Sequence, residues 1–105
     1  MELNRDNFES LVLGSDQPVL IDFWGPQCGP CLAMNPFIER IEVEYLGKIK
    51  VGKVNAAENR MLCAKLRVLG LPTFLIYKNG EEKHRITGNE VTEKGIIAAI
   101  QSVLA

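Results

Sequence analysis

Residues 24–31 read Trp-Gly-Pro-Gln-Cys-Gly-Pro-Cys. Two cysteines stand two residues apart with Gly29 and Pro30 between them, and a second Gly-Pro pair, Gly25-Pro26, precedes them. The run just before, PVLIDFW at 18–24, is apolar and of strand length. Leu20, Asp22 and Trp24 share one face of that strand, and Val19, Ile21 and Phe23 share the other. Both faces are apolar apart from Asp22, which predicts a central strand buried on both sides. After Cys31 the period becomes helical. Met34, Phe37, Ile38, Ile41 and Tyr45 mark one face of a helix from Pro30 to Leu46, with Gly47 as its cap and Pro36 as a kink.

Working outward, Asp6 and Glu9 form a candidate capping box for a short helix, Asn7 to Leu13, closed by Gly14. IKVGKVN predicts a second strand, Ile49 to Asn55, followed by a short helix from about Glu58 to Leu66. LPTFLIYKNGEEKHRIT predicts two antiparallel strands joined at Asn79-Gly80. Thr92 is the N-cap of a last helix whose apolar face is Ile96, Ile97, Ile100, Val103 and Leu104. A right-handed crossover between the first two main strands makes them parallel, and the hairpin adds antiparallel strands. The expected fold class is α/β, a mixed central sheet flanked on both faces by helices.

The chain has 105 residues, 47% of them hydrophobic, which suits one domain over 1–105 with a real core. A net charge of −1 gives no electrostatic reason for a nucleic-acid or anionic-membrane partner. No apolar run approaches the ~20 residues of a membrane helix. MELNRDNFES lacks the basic start and apolar run of an export signal, so the expected location is the cytoplasm, where thiols stay reduced. Three cysteines make a poor disulfide framework.

A helix beginning near Pro30 puts Cys28 at its N-terminus, where free backbone N–H groups and the helix dipole favour a thiolate. Cys28 can then attack a partner disulfide, and Cys31, one turn on, can resolve the mixed disulfide. Other readings stand beside this one. Cys28, Cys31, Cys63 and His84 have the count of a zinc site, though Cys63 and His84 form no close pair. A structural disulfide across so short a loop adds little stability. Two unrelated buried thiols are a third possibility. Asp22, an acid among apolar residues, is either a surface residue out of phase or a functional group kept neutral by burial.

IDFW, CGPC, Pro36, VGKVN, GLPTFLIYKNG and Gly88 fall in the order and spacing of the thioredoxins, and the chain resembles that family over nearly its full length. The resemblance implies the thioredoxin fold and a monomeric thiol-disulfide oxidoreductase with no bound cofactor or metal beyond a redox-active Cys28–Cys31 disulfide. Its partners would be disulfide-containing proteins and a thioredoxin reductase, linked to NADPH or to ferredoxin. It implies that Asp22 accepts the proton of Cys31 and that Lys53 neighbours Asp22. It also implies a cis Pro72, preceded by Leu71, whose backbone pairs with an extended partner chain. Gly70 and Gly88 line that groove, and Trp24, Gln27, Gly29 and Pro30 complete the partner-binding surface. Gln27 is a departure, since the family usually has tryptophan there; this alters the docking surface more than the chemistry. The Gly-Pro between the cysteines disfavours an oxidant or isomerase by family analogy. A reading from another class is a thioredoxin-fold assembly module with non-catalytic cysteines. Cys63, on the flank of the helix face of Leu62, Leu66 and Leu69, reads as a buried inert thiol, with a regulatory or dimer-forming thiol as the alternative, and His84 as a surface residue.

Overall fold

The computed structural model describes residues 1–105. Four strands, β1 (Val19–Trp24), β2 (Lys50–Asn55), β3 (Thr73–Lys78) and β4 (Glu81–Thr87), form one sheet in the order β2-β1-β3-β4. β1 runs parallel to β2 and antiparallel to β3, and β3 is antiparallel to β4. The helices are α1 (Gly29–Ala33), α2 (Asn35–Glu44), α3 (Arg60–Lys65) and α4 (Glu93–Leu104). This is the mixed α/β sheet flanked by helices on both faces that the alternation of patterns predicts.

β1 divides the core as its alternation requires. Val19, Ile21 and Phe23 enter one cluster with Phe8, Val12, Leu62 and Leu75. Leu20 enters the other with Ile38, Ile41, Phe74, Ile96 and Ile100. The first cluster lies beneath the N-terminal segment and α3, the second beneath α2 and α4. Each fully buried aliphatic or aromatic side chain contributes about 1.5–3 kcal/mol, so the two faces together supply most of the drive to fold. Gly52 on β2 allows a close approach, because a Cβ there would collide with the buried Leu3 side chain.

The hairpin forms as its turn chemistry requires. Asn79 and Gly80 both have positive φ, 55° and 78°, the signature of a type I′ turn. Thr92 caps α4, its Oγ1 accepting from the Gly95 N–H at 3.0 Å. Gly47 has φ +85° just beyond α2.

Three local expectations are corrected. The single kinked helix from Pro30 to Leu46 is two helices, parted at Met34. Pro36 lacks the N–H that would have bonded the carbonyl four residues back, so the hydrogen-bond ladder is interrupted while Met34 keeps helical dihedrals, φ −82° and ψ −12°. The helix expected from about Glu58 is a 3-10 turn, Ala56–Glu58, followed by α3, which ends at Lys65; Leu69 lies beyond it and is 92% exposed. The N-terminal segment is a π-helix, Glu9–Leu13, with Gly14 N–H bonded to the Glu9 carbonyl at 2.9 Å. Its start is set by Asn4 and Asn7 rather than by Asp6 and Glu9. The Asn4 N–H donates to Asn7 Oδ1 at 2.8 Å, and the Asn7 N–H donates to Asn4 Oδ1 at 3.0 Å. Asn4→Ala is expected to cost about 1 kcal/mol, lowering the melting temperature by about 4–8 °C, whereas Asp6→Ala stays within about 0.5 kcal/mol. Thermal melts of the two variants check this.

Candidate active site

β1 ends at Trp24 and α1 begins at Gly29, so the four-residue connection delivers Cys28 to the helix N-cap. Pro30 fits the first turn because its missing donor would have no partner there. Cys28 and Cys31 are joined by a disulfide with a Cα–Cα distance of 5.2 Å. The Cys31 N–H donates to Cys28 Sγ at 3.2 Å, so the sulfur occupies the place of a capping oxygen. Cys31 is buried and Cys28 is half-buried, so Cys28 is the more accessible of the two.

Asp22 is 1% exposed, and neither carboxylate oxygen has a hydrogen-bond partner. Burial pushes its pKa from 3.8 up to about 6, against a smaller downward pull from the Lys53 ammonium. Lys53 is the register partner of Asp22 on β2, with Nζ 4.0 Å from Oδ2. That separation is an ion-pair contact without a hydrogen bond. The Lys53 hydrogen bond goes instead to Asn35 Oδ1 at 2.9 Å. Asn35 went unnoticed in the sequence because an asparagine before a proline reads as helix punctuation.

The Leu71–Pro72 peptide is cis. Pro30, Met34, Leu71, Pro72 and Gly88 line one groove of about 260 Å³. The Pro72 carbonyl accepts from the Gly88 N–H at 3.0 Å, and Gly88 has φ +59°. The Gly70 carbonyl accepts from Thr73 Oγ1 at 2.6 Å. The backbone N–H and C=O of Leu71 make no hydrogen bond within the chain. Its side chain packs near Gly25, which ties this loop to the cysteine loop. Gly70 lines a neighbouring apolar hollow with Leu69 and Leu71. Trp24 stands apart from the groove, lining a separate cleft with Lys53, Glu42 and Glu58. Gln27 and Gly29 are exposed beside Cys28.

No group of three or more His, Cys, Asp or Glu side chains is placed to hold a metal ion. The disulfide ties up two of the zinc-ligand candidates, while His84 sits half-buried on β4, its Nε2 3.3 Å from Ser102 Oγ. Cys63 is a free, buried thiol on α3, and burial pushes its pKa up.

The family profile for thioredoxin matches residues 1–102. The chain belongs to the thioredoxin family. It is 44% identical over 85 residues to "Thioredoxin M5, chloroplastic" of Oryza sativa subsp. japonica, covering 81% of this chain and 49% of that protein. It is 41% identical over 81 residues to "Thioredoxin" of Haemophilus influenzae, covering 77% of this chain and 76% of that one. It is 40% identical over 87 residues to "Thioredoxin 1" of Nostoc, covering 83% and 81%. The chain thus spans about half the length of the chloroplast relative. The family and the Cys28–Cys31 disulfide together give this region a thioredoxin-type redox function, with the disulfide as its one cofactor-like feature.

Two outcomes follow from the burial of these groups. Asp22 has a folded pKa above its unfolded value, so the native state holds that proton more tightly. Its contribution is neutral where both states are protonated, below about pH 4, and becomes unfavourable as pH rises through about 6. Asp22→Asn is therefore expected to stabilise the chain at pH 8 by on the order of 1–3 kcal/mol and to do little at pH 4, as read by urea unfolding at the two pH values. In the fully reduced protein, a thiol reagent at neutral pH is expected to modify Cys28 within the mixing time and Cys63 only after unfolding. Mass mapping of the labelled sites checks this.

Proposed function

We propose that this chain reduces protein disulfides by a two-step exchange through Cys28 and Cys31. The observation that carries the reading is the cap geometry: a half-buried Cys28 sulfur that accepts the Cys31 N–H at the start of α1, with Cys31 buried behind it. In the dithiol form the same N–H faces the Cys28 sulfur and stabilises negative charge on it. The thiolate attacks one sulfur of the partner disulfide. A Cys28–partner disulfide forms, the partner disulfide breaks, and the other partner sulfur leaves as a thiolate. Cys31 then gives its proton to Asp22 and attacks Cys28 Sγ. The internal disulfide forms, and the second partner thiol is released. Two electrons have moved to the partner, and a thioredoxin reductase returns two to the Cys28–Cys31 pair.

Asp22 suits the acceptor role because its pKa of about 6 leaves it basic at neutral pH while its burial keeps the proton exchange local. The unpaired backbone of Leu71 beside the groove supports docking of an extended partner segment by strand addition. Gln27, Gly29, Pro30, Gly70 and Gly88 surround that approach, Gln27 sets part of the partner range, and Trp24, which lines a separate cleft, serves as a reporter rather than a docking residue. The proposed setting is the cytoplasm.

The test uses single-cysteine variants with a disulfide-bonded protein substrate. Cys31→Ser is expected to accumulate the mixed disulfide on non-reducing gels, while Cys28→Ser forms none and loses at least about 10³-fold in rate. Asp22→Ala is expected to keep the first step and slow the second. A redox titration followed by Trp24 fluorescence is expected to show a two-electron transition near or below the low end of the glutathione poise of about −220 to −320 mV. A Cys28→Ser, Cys31→Ser double variant that kept full biological activity would overturn the reading in favour of an assembly module.

A further inference from the structure

The Lys53 ammonium lies between two oxygens and bonds to only one of them. It stands 4.0 Å from Asp22 Oδ2 and donates to Asn35 Oδ1 at 2.9 Å. Asn35 is the first residue of α2, directly after the break at Met34, and its side chain reaches down to β2 from there. Asp22 keeps both oxygens without a hydrogen-bond donor. We propose that Asn35 is a positioning residue: its amide oxygen anchors the Lys53 ammonium beside Asp22, and through that charge it sets the protonation of the Asp22 carboxyl. For its catalytic meaning this rests on the reading of Asp22 as the proton acceptor of Cys31.

The surrounding charges show why an anchor is needed. Lys53 opens onto a cleft of about 470 Å³ whose lining includes Glu2, Glu42 and Glu58. The Met1 ammonium lines the same cleft, 4.0 Å from Glu42 Oε2, so Glu2, Glu58 and water are the freer competitors for a flexible Lys53 ammonium. The amide of Asn35 is neutral, so it can hold the lysine without adding a charge that would itself act on Asp22. Around Asp22 the other elements offer no substitute. Its register partner on β3 is Phe74. The sulfurs of α1 are joined as a disulfide. On α2, Glu39, Arg40, Glu42 and Glu44 are exposed, as are Glu93 and Lys94 on α4. Lys53 is the one charge whose pull on Asp22 is resolved, and it lowers the pKa. Without Asn35 the ammonium swings toward the cleft acids, the pull weakens, and Asp22 holds its proton to higher pH. At a fixed pH near neutral a smaller fraction of it is then ionised and free to accept a proton.

The test is a carboxyl ¹³C NMR titration of Asp22 in the intact, oxidised protein. Asn35→Ala is expected to raise the midpoint by about 0.5–1 pH unit. Asn35→Gln keeps an amide oxygen and is expected to raise it less. In a Lys53→Met background, Asn35→Ala is expected to leave the midpoint where Lys53→Met alone puts it. An unmoved or lowered midpoint in Asn35→Ala overturns the proposal. So does a rise that Asn35→Gln does not reduce, or one that persists without Lys53. The titration reads no turnover, so failure of Asp22 as the acceptor for Cys31 would appear in the exchange kinetics and not here.

Discussion

β1 is apolar on both faces, and a strand of that kind has to be covered twice. That single demand organises the molecule. The N-terminal segment and α3 cover the face of Val19, Ile21 and Phe23, and α2 and α4 cover the face of Leu20. Neighbouring strands must then flank β1 on both edges, which places β2 on one side and β3 on the other. The position of the cysteines follows from it as well. A central strand ends at the sheet's rim, and the connection from Trp24 to Gly29 turns Cys28 onto the start of a helix.

The same burial makes Asp22 costly and useful. A carboxyl group at this place in β1 is buried and meets no hydrogen-bond donor of the chain, so it is held near neutrality in charge until about pH 6. An apolar residue there would serve the core better. Lys53 moderates that cost from the next strand, at a distance that leaves the carboxyl free of a direct hydrogen bond.

What the sequence made legible was local. The double-faced strand, the Asn79-Gly80 turn and the Thr92 cap each depend on neighbours within a few residues, and each formed as read. The cysteine pair and Asp22 were visible for the same reason, as polar or reactive groups set in an apolar pattern. The misses came where local signals competed or where distant segments met. Asn4 and Asp6 are both good caps, and only the reciprocal bond to Asn7 decided between them. Pro36 announced a disturbed helix, and the interruption falls at Met34, two residues before it. The link from Asn35 to Lys53 joins residues that only the stacking of α2 on β2 brings together. Leu69 looked like part of the α3 face until that helix ended at Lys65, with Arg67 at φ 57° turning the chain away.

The outer edge of the sheet has a consequence for aggregation. β4 stands at one rim and carries Glu81, Glu82, Lys83, His84 and Arg85 in succession, with a register irregularity opposite them at Ile76 and Tyr77. An extended foreign chain that tried to pair there would have to strip water from that row of charges. The other rim, β2, is partly occupied by Met1 to Leu3, whose backbone bonds to Lys53. Both borders of the sheet discourage such pairing, and the free main chain at Leu71 is too short to propagate it.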